Sequence, residues 1–361
     1  MTRGAVCAAV VLLATIVVAA ERDVLHPAPT SAVAAPGAAA VPTLPDRLAD
    51  TGLYDASRFG EVDTRNSPFA PQYPLWSDGL LKRRWVYIPP GTRIDTTDEQ
   101  AWQFPVGTKF WKEFSLGNRK VETRLLWRQA DGDWNFATYV WNDDGTDAVL
   151  APEAGLRNVV EVAPGRRHSI PSRTDCQACH GTTRVAPLGF NALQLSTDRD
   201  PNALHAEPLR EDMLTLETLQ RSGRLSPSRP DYLTSPPRIP TANPETRAVL
   251  GYLAANCGVC HNGQADIAGF DASVAYRDVL TDADAVVRRL TGTPTRWQVP
   301  GLPEGSSVLV KPGDPAASAI LARMRSRSPS SQMPALGTVV RDEAAVNAVA
   351  RWIDTELARA H

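Results

Sequence analysis

At 361 residues with a formal net charge of −2 and a pI near 6.3, the chain exceeds the usual single domain and lacks the basic excess of a nucleic-acid binder. Hydrophobic residues make up 43%, enough to build a packed core without special staples. The 30 prolines point to much irregular, turn-rich structure.

Arg3 and the apolar run 5–20 read as an export signal, with Val18-Ala19-Ala20 as a small-residue cleavage site and Glu21 as the first mature residue. An uncleaved membrane anchor is the competing reading, for which the run is slightly short. Residues 1–20 are therefore expected to be a signal peptide. The bulk of the chain is then periplasmic, touching a membrane only through an uncleaved signal. Residues 21–45 are rich in Ala and Pro, show no helical or strand period, and read as a linker.

Residues 46–165 hold seven of the nine tryptophans and no histidine. KRRWVYI, TKFWKEFSL, VETRLLWRQ and WNFATYVWN are strand-like, and ADGD (130–133) is placed to turn between the last two. An antiparallel sandwich or small barrel is the expectation. NDDGTD (142–147) has some character of a calcium loop but fits a polar hairpin tip better.

Residues 166–243 open on a proline-broken stretch and contain RTDCQACHGTT, with Cys176, Cys179 and His180. PLREDMLTLETLQRSG (208–223) is predicted to be a helix ending at Gly223. Residues 244–361 carry helix signals throughout. Asn243 is a suitable N-cap, Pro244 fits the first helical position, and ETRAVLGYLAAN leads into a second frame with Cys257, Cys260 and His261. The closing segment places Val346, Val349, Ile353 and Leu357 on one helical face. Gly251 and Ala255 are expected to let that closing helix cross closely over the first.

Of five cysteines, Cys7 lies in the signal and the other four stand in two Cys-x-x-Cys-His frames. An exported chain with four cysteines is usually read as a disulfide framework, but neither that nor a redox Cys-x-x-Cys explains the histidines. A four-thiolate zinc site leaves the histidines unexplained too. Two thiols one helical turn apart can form thioethers with the haem vinyl groups, and the histidine that follows lies under the iron as proximal ligand. Two covalently bound haem c groups are thus expected. Met333, in the non-helical loop SSQMPALGT, has thioether chemistry suited to iron, whereas Met324 falls within a predicted helix.

Residues 244–361 resemble a class I c-type cytochrome domain through the first helix, CGVCHNG, VKPGDPAASAILARM, the QMPALGT loop and the closing helix. The mature chain also resembles a group of bacterial dihaem cytochromes with an N-terminal β domain, through LWSDG, PVGTKFWKEFSLG, IPSRTDCQACH and LGFNALQLS. The resemblance implies an α+β multidomain fold, with an antiparallel β domain, a small irregular haem unit and an all-α cytochrome c-like domain. It also implies haem attachment at Cys257 and Cys260, with His261 and Met333 as axial ligands.

For the sixth ligand of the first haem, His168, His205 and Met213 are the remaining donors. His168 is too near Cys176 along the chain, and Met213 falls beside leucines in a predicted helix. His205 is the expected ligand, giving bis-histidine ligation with His180. The function these features imply is electron transfer between redox partner proteins, such as a periplasmic dehydrogenase and a terminal acceptor. The alternatives are a haem-bearing subunit of a larger oxidoreductase and a dihaem peroxidase-like enzyme, which would need an open iron face.

Overall fold

Strand-forming residues cluster early and helix-forming residues late, and the computed structural model follows that division. It describes residues 43–99, 101–181, 185–263 and 273–359; the expected signal peptide, most of the linker, Cys7, His26 and His361 lie outside them. The architecture is mixed α+β, with a β-rich N-terminal region and a helical C-terminal region. Among the described residues no helix is long and apolar enough to cross a membrane.

The centre of the β region is an antiparallel sheet of six strands in the order Ser67–Pro68, Leu81–Tyr87, Lys109–Leu116, Arg119–Arg128, Trp134–Trp141 and Ala148–Leu150. The ADGD turn closes as expected: Gln129 and Asp133 are bonded across it, and Gly132 takes φ +94°, which a side chain would resist. NDDGTD is a polar tip, in which the Asn142 side chain accepts from the backbone N–H of Thr146 and Asp147.

Period-two alternation separates the two faces of this sheet. Trp85, Trp111, Leu125, Ala137 and Tyr139 pack on one side with Leu48, Leu53 and Tyr54. On the other, Val86 and Phe110 meet Phe69, Phe104 and residues from beyond the first cysteine frame, Phe190, Leu195, Leu216 and Leu219. Phe190 lies within 4.9 Å of Phe69 and 5.0 Å of Phe110, centroid to centroid, both in edge-to-face geometry. The expected sandwich or barrel is therefore corrected to an open sheet, because this chain segment covers the second face.

The ribbon Leu156–Ala163 and Arg166–Ile170 pairs across residue 165 and delivers the chain to the first cysteine frame. The helix expected over 208–223 is confined to Leu216–Arg221, where Thr215 caps it through a reciprocal bond with Thr218. Pro208 and the Arg210–Asp212 ion pair lie in the irregular lead-in.

Pro244–Asn256 is helical and capped by Asn243 as expected. It packs with the closing helix Glu343–Arg351 in a core that includes Val249, Leu253, Val346, Val349, Trp352 and Ile353. Gly251 has a different neighbour from the one expected. A Cβ there would fall 2.1 Å from the ring of Tyr73, so the glycine admits a residue from the β region. The Tyr73 hydroxyl then donates to Asp200 at 3.0 Å.

Phe190 is 1% exposed and central to the aromatic cluster, so Phe190→Ala should cost about 3–5 kcal/mol of stability. Urea denaturation followed by tryptophan fluorescence measures it. A loss under about 1 kcal/mol would mean that the segment is not fixed to the sheet in this way.

Candidate functional site

Pro171 ends the ribbon, and Ser172 starts the helix Arg173–His180 with a capping box: its Oγ accepts from the Asp175 N–H while Asp175 accepts from the Ser172 N–H. Cys176, Cys179 and His180 are half-buried, while Gln177 and Ala178 between them are exposed. The three therefore share the inward face. His180 Nδ1 donates to the Ala186 carbonyl at 2.6 Å, and its ring lies 5.4 Å from that of Phe136 on the sheet. Burial pushes its pKa down to about 4, with the nearby charges of Lys112 and Arg124 adding to the effect against the Ala186 bond. A neutral ring that donates from Nδ1 carries its lone pair on Nε2, the form a metal takes.

The second frame follows the Pro244–Asn256 helix without a break. Cys257 donates to the Leu253 carbonyl, and the N–H groups of Cys260 and His261 return to the Cys257 carbonyl at 3.1 and 2.8 Å. Only glycine fits at 258, since a Cβ there would lie 2.6 Å from the Ala254 carbonyl oxygen and 2.8 Å from that of Val274. Burial, then the neighbouring Cys260, pushes the Cys257 thiol up to about 12. Burial and then the charge of Arg323 lower the pKa of His261.

The four cysteines are free thiols. Among the described residues no group of three or more His, Cys, Asp or Glu converges as a metal site, so the thiols are not gathered into a tetrahedral centre. The two frames are nevertheless neighbours. Burial raises the Cys179 thiol most, and the charge of Cys260 raises it next. A cleft of about 140 Å³ is lined by Val185, Gly189 and Phe190 after the first frame and by Gly258, Val259 and Asn262 of the second.

Met333 is half-buried, and its N–H donates to the Arg323 carbonyl at 3.0 Å. Arg323 thus contacts the methionine loop through its backbone and acts on His261 through its charge. Met324 is 6% exposed and belongs to the helical core. Met213 is buried.

His205 is engaged by the carboxylate of Asp342. It takes φ +59°, its ring stands 5.0 Å from Trp76, and its Nε2 donates to both carboxylate oxygens of Asp342 at 2.9 Å. Asp342 also caps the closing helix through the Ala345 N–H.

A buried charge chain was not anticipated from the sequence. His168, 3% exposed, sits between Asp78 Oδ2 at 3.0 Å from Nδ1 and Glu122 Oε1 at 3.2 Å from Nε2. Both partners are carboxylates, so both ring nitrogens donate and the ring is an imidazolium. Burial opposes that charge, but the bonds to Asp78 and Glu122 outweigh it and raise the pKa above the usual 6.5. Glu122 is bonded in turn to Arg124 at 2.6 Å. Burial works to raise its pKa, but Arg124 and His168 overcome this and hold it at about 2. The available signal was the charge at alternate, inward positions of VETRLLW, where a covered sheet face normally carries apolar residues.

Comparison with family models, with curated proteins and with solved structures finds no match for this chain.

A histidine whose folded pKa is raised stabilises fully below its unfolded value of about 6.5, and that contribution is lost as pH rises through the folded value. His168→Gln should therefore remove a decline in stability above about pH 6.5 and, by leaving two buried carboxylates facing, cost about 3–5 kcal/mol at about pH 6. Urea midpoints across this range check both. Parallel pH profiles for the two proteins would contradict the buried imidazolium.

Proposed function

We propose that this chain is an exported c-type cytochrome that holds a haem at each Cys-x-x-Cys-His frame and transfers electrons between redox partner proteins. One observation carries the reading: in both frames, two unlinked thiols stand beside a histidine whose pKa is lowered by burial. These residues fit the group, since free thiols can form thioethers with haem vinyl groups and neutral imidazole can ligate iron. When bound, haem supplies one-electron chemistry at iron.

The chain's own residues do the rest. The Ala186 carbonyl orients the His180 ring, and burial keeps both imidazoles unprotonated at neutral pH. The backbone bond to Arg323 anchors the loop that presents Met333 as the thioether donor at the second frame. The cleft lined jointly by the segment after the first frame and by the second frame supports a relay through both, with a periplasmic dehydrogenase on one side and a terminal acceptor on the other.

A second reading, peroxidase-like chemistry at an open first iron, is favoured by the engagement of His168 and His205 by carboxylates and the burial of Met213. Carbon monoxide separates the two. Electron transfer with both irons six-coordinate predicts no binding by the reduced protein, whereas binding at one haem together with sustained peroxide turnover would establish the enzyme reading.

The test of the primary reading is the paired variant Cys257→Ala/Cys260→Ala. It should retain one haem per chain through acid–acetone extraction and lose the weak near-infrared sulfur–iron band that Met333 ligation gives. Loss of both haems, or of neither, would contradict independent attachment at the two frames.

A further inference from the structure

The sheet face beneath the first frame carries an unusual row of charges. The ladder places Arg84 opposite Lys112, and Lys112 opposite Arg124, on three adjacent strands. Like charges directly opposite one another destabilise a sheet unless something negative lies over them. Two members have such partners: Arg84 is bonded to Glu207 at 2.6 Å and Arg124 to Glu122 at 2.6 Å. Glu122 is already shared with His168.

Lys112, in the middle, has none. Among the described residues its ammonium forms no hydrogen bond or ion pair, and it lies 5.0 Å from the Phe114 ring, beside which Arg124 also packs at 4.5 Å. Among the described residues the ammonium of Lys82, on the same face, donates only to the Leu75 carbonyl at 2.6 Å. The neighbourhood thus holds an excess of cations around a half-buried lysine, and it lies beside the first frame. The His180 ring stands 5.4 Å from that of Phe136, which the ladder places opposite Leu126, two positions along the same face from Arg124.

We propose that the row Arg84–Lys112–Arg124 is a carboxylate-binding site centred on Lys112, and that its occupant is a propionate of the haem held by the first frame. This rests on the haem reading given above. A carboxylate over Lys112 relieves the repulsion along the row, and a haem tethered at Cys176 and Cys179 brings its own carboxylates into that neighbourhood. The alternative source of the same chemistry is a free anion from solution.

The test uses the full-length protein with both haems, their propionate carboxyl carbons labelled with ¹³C through labelled 5-aminolaevulinate. Spectra of the reduced, diamagnetic protein are recorded from about pH 7 down to about pH 4.5, where an unperturbed carboxylate is half-titrated. Resonances are assigned with Cys257→Ala/Cys260→Ala, which retains the first haem alone. One first-haem propionate should not titrate across this range. In Lys112→Gln it should titrate normally, and the first haem's midpoint potential should fall while the second haem's does not, because removing a cation disfavours the reduced state.

If every first-haem propionate of the unmodified protein titrates in the ordinary carboxylate range, the proposal is overturned, whether or not the lysine variant folds. A first-haem potential that varies with added phosphate or acetate at constant ionic strength would assign the site to a free anion and also overturn it. Absence of haem from Cys176 and Cys179 would instead refute the functional reading on which this inference rests.

Discussion

The placement of both cysteine frames depends on one short turn, 75–79, and on the buried carboxylate of Asp78 within it. Asp78 Oδ2 holds the His168 imidazolium, while its Oδ1 accepts from the backbone N–H groups of Val339 and Val340, just past the methionine loop. Its neighbour Trp76 donates through Nε1 to the Val340 carbonyl, and through its backbone to the side chain of Asn256, the residue before Cys257. The ribbon that leads into the first frame, the helix that ends at the second and the loop that carries Met333 thus meet at one point. Asp78 takes φ +54°, an uncommon conformation for a residue with a side chain, which these bonds hold in place.

The same arrangement explains why a sheet face covered by protein carries charge. Unpaired ions there would be strongly unfavourable, yet the face reads Glu122 and Arg124 at successive inward positions, with Arg84 and Lys112 on the adjoining strands. Glu122 links the imidazolium to Arg124, so the chain Asp78–His168–Glu122–Arg124 alternates in sign and leaves each carboxylate with a cation. The structural network therefore reaches the first frame through Arg124, and the remaining positive charge is concentrated at Lys112.

Much of this architecture was legible in the sequence because the signals are local. Alternation gave the four long strands, Gly132 gave the hairpin, Asn243 and Pro244 gave the start of the helix into Cys257, and the two cysteine frames stood out by spacing alone. What could not be read depends on partners distant in the chain. The partner of His168 at Asp78 lies 90 residues away along the chain and that of His205 at Asp342 lies 137 away, so neither histidine's engagement has a local signature. Gly251 advertised a close approach but not that Tyr73 would make it. The helix expected over 208–223 shows the complementary failure: start and stop signals suggested a long element ending at Gly223, and the cap at Thr215 started it later.

The claim on which the functional account turns is that all four thiols of the two frames are consumed by haem. Intact-mass measurement of the full-length protein, before and after treatment with an alkylating reagent under denaturing conditions, tests it directly. The account predicts a mass above that of the polypeptide by one haem for each frame, and no alkylation at Cys176, Cys179, Cys257 or Cys260. A mass equal to the polypeptide alone, with all four cysteines alkylated, from cells that attach haem to exported c-type cytochromes would contradict it.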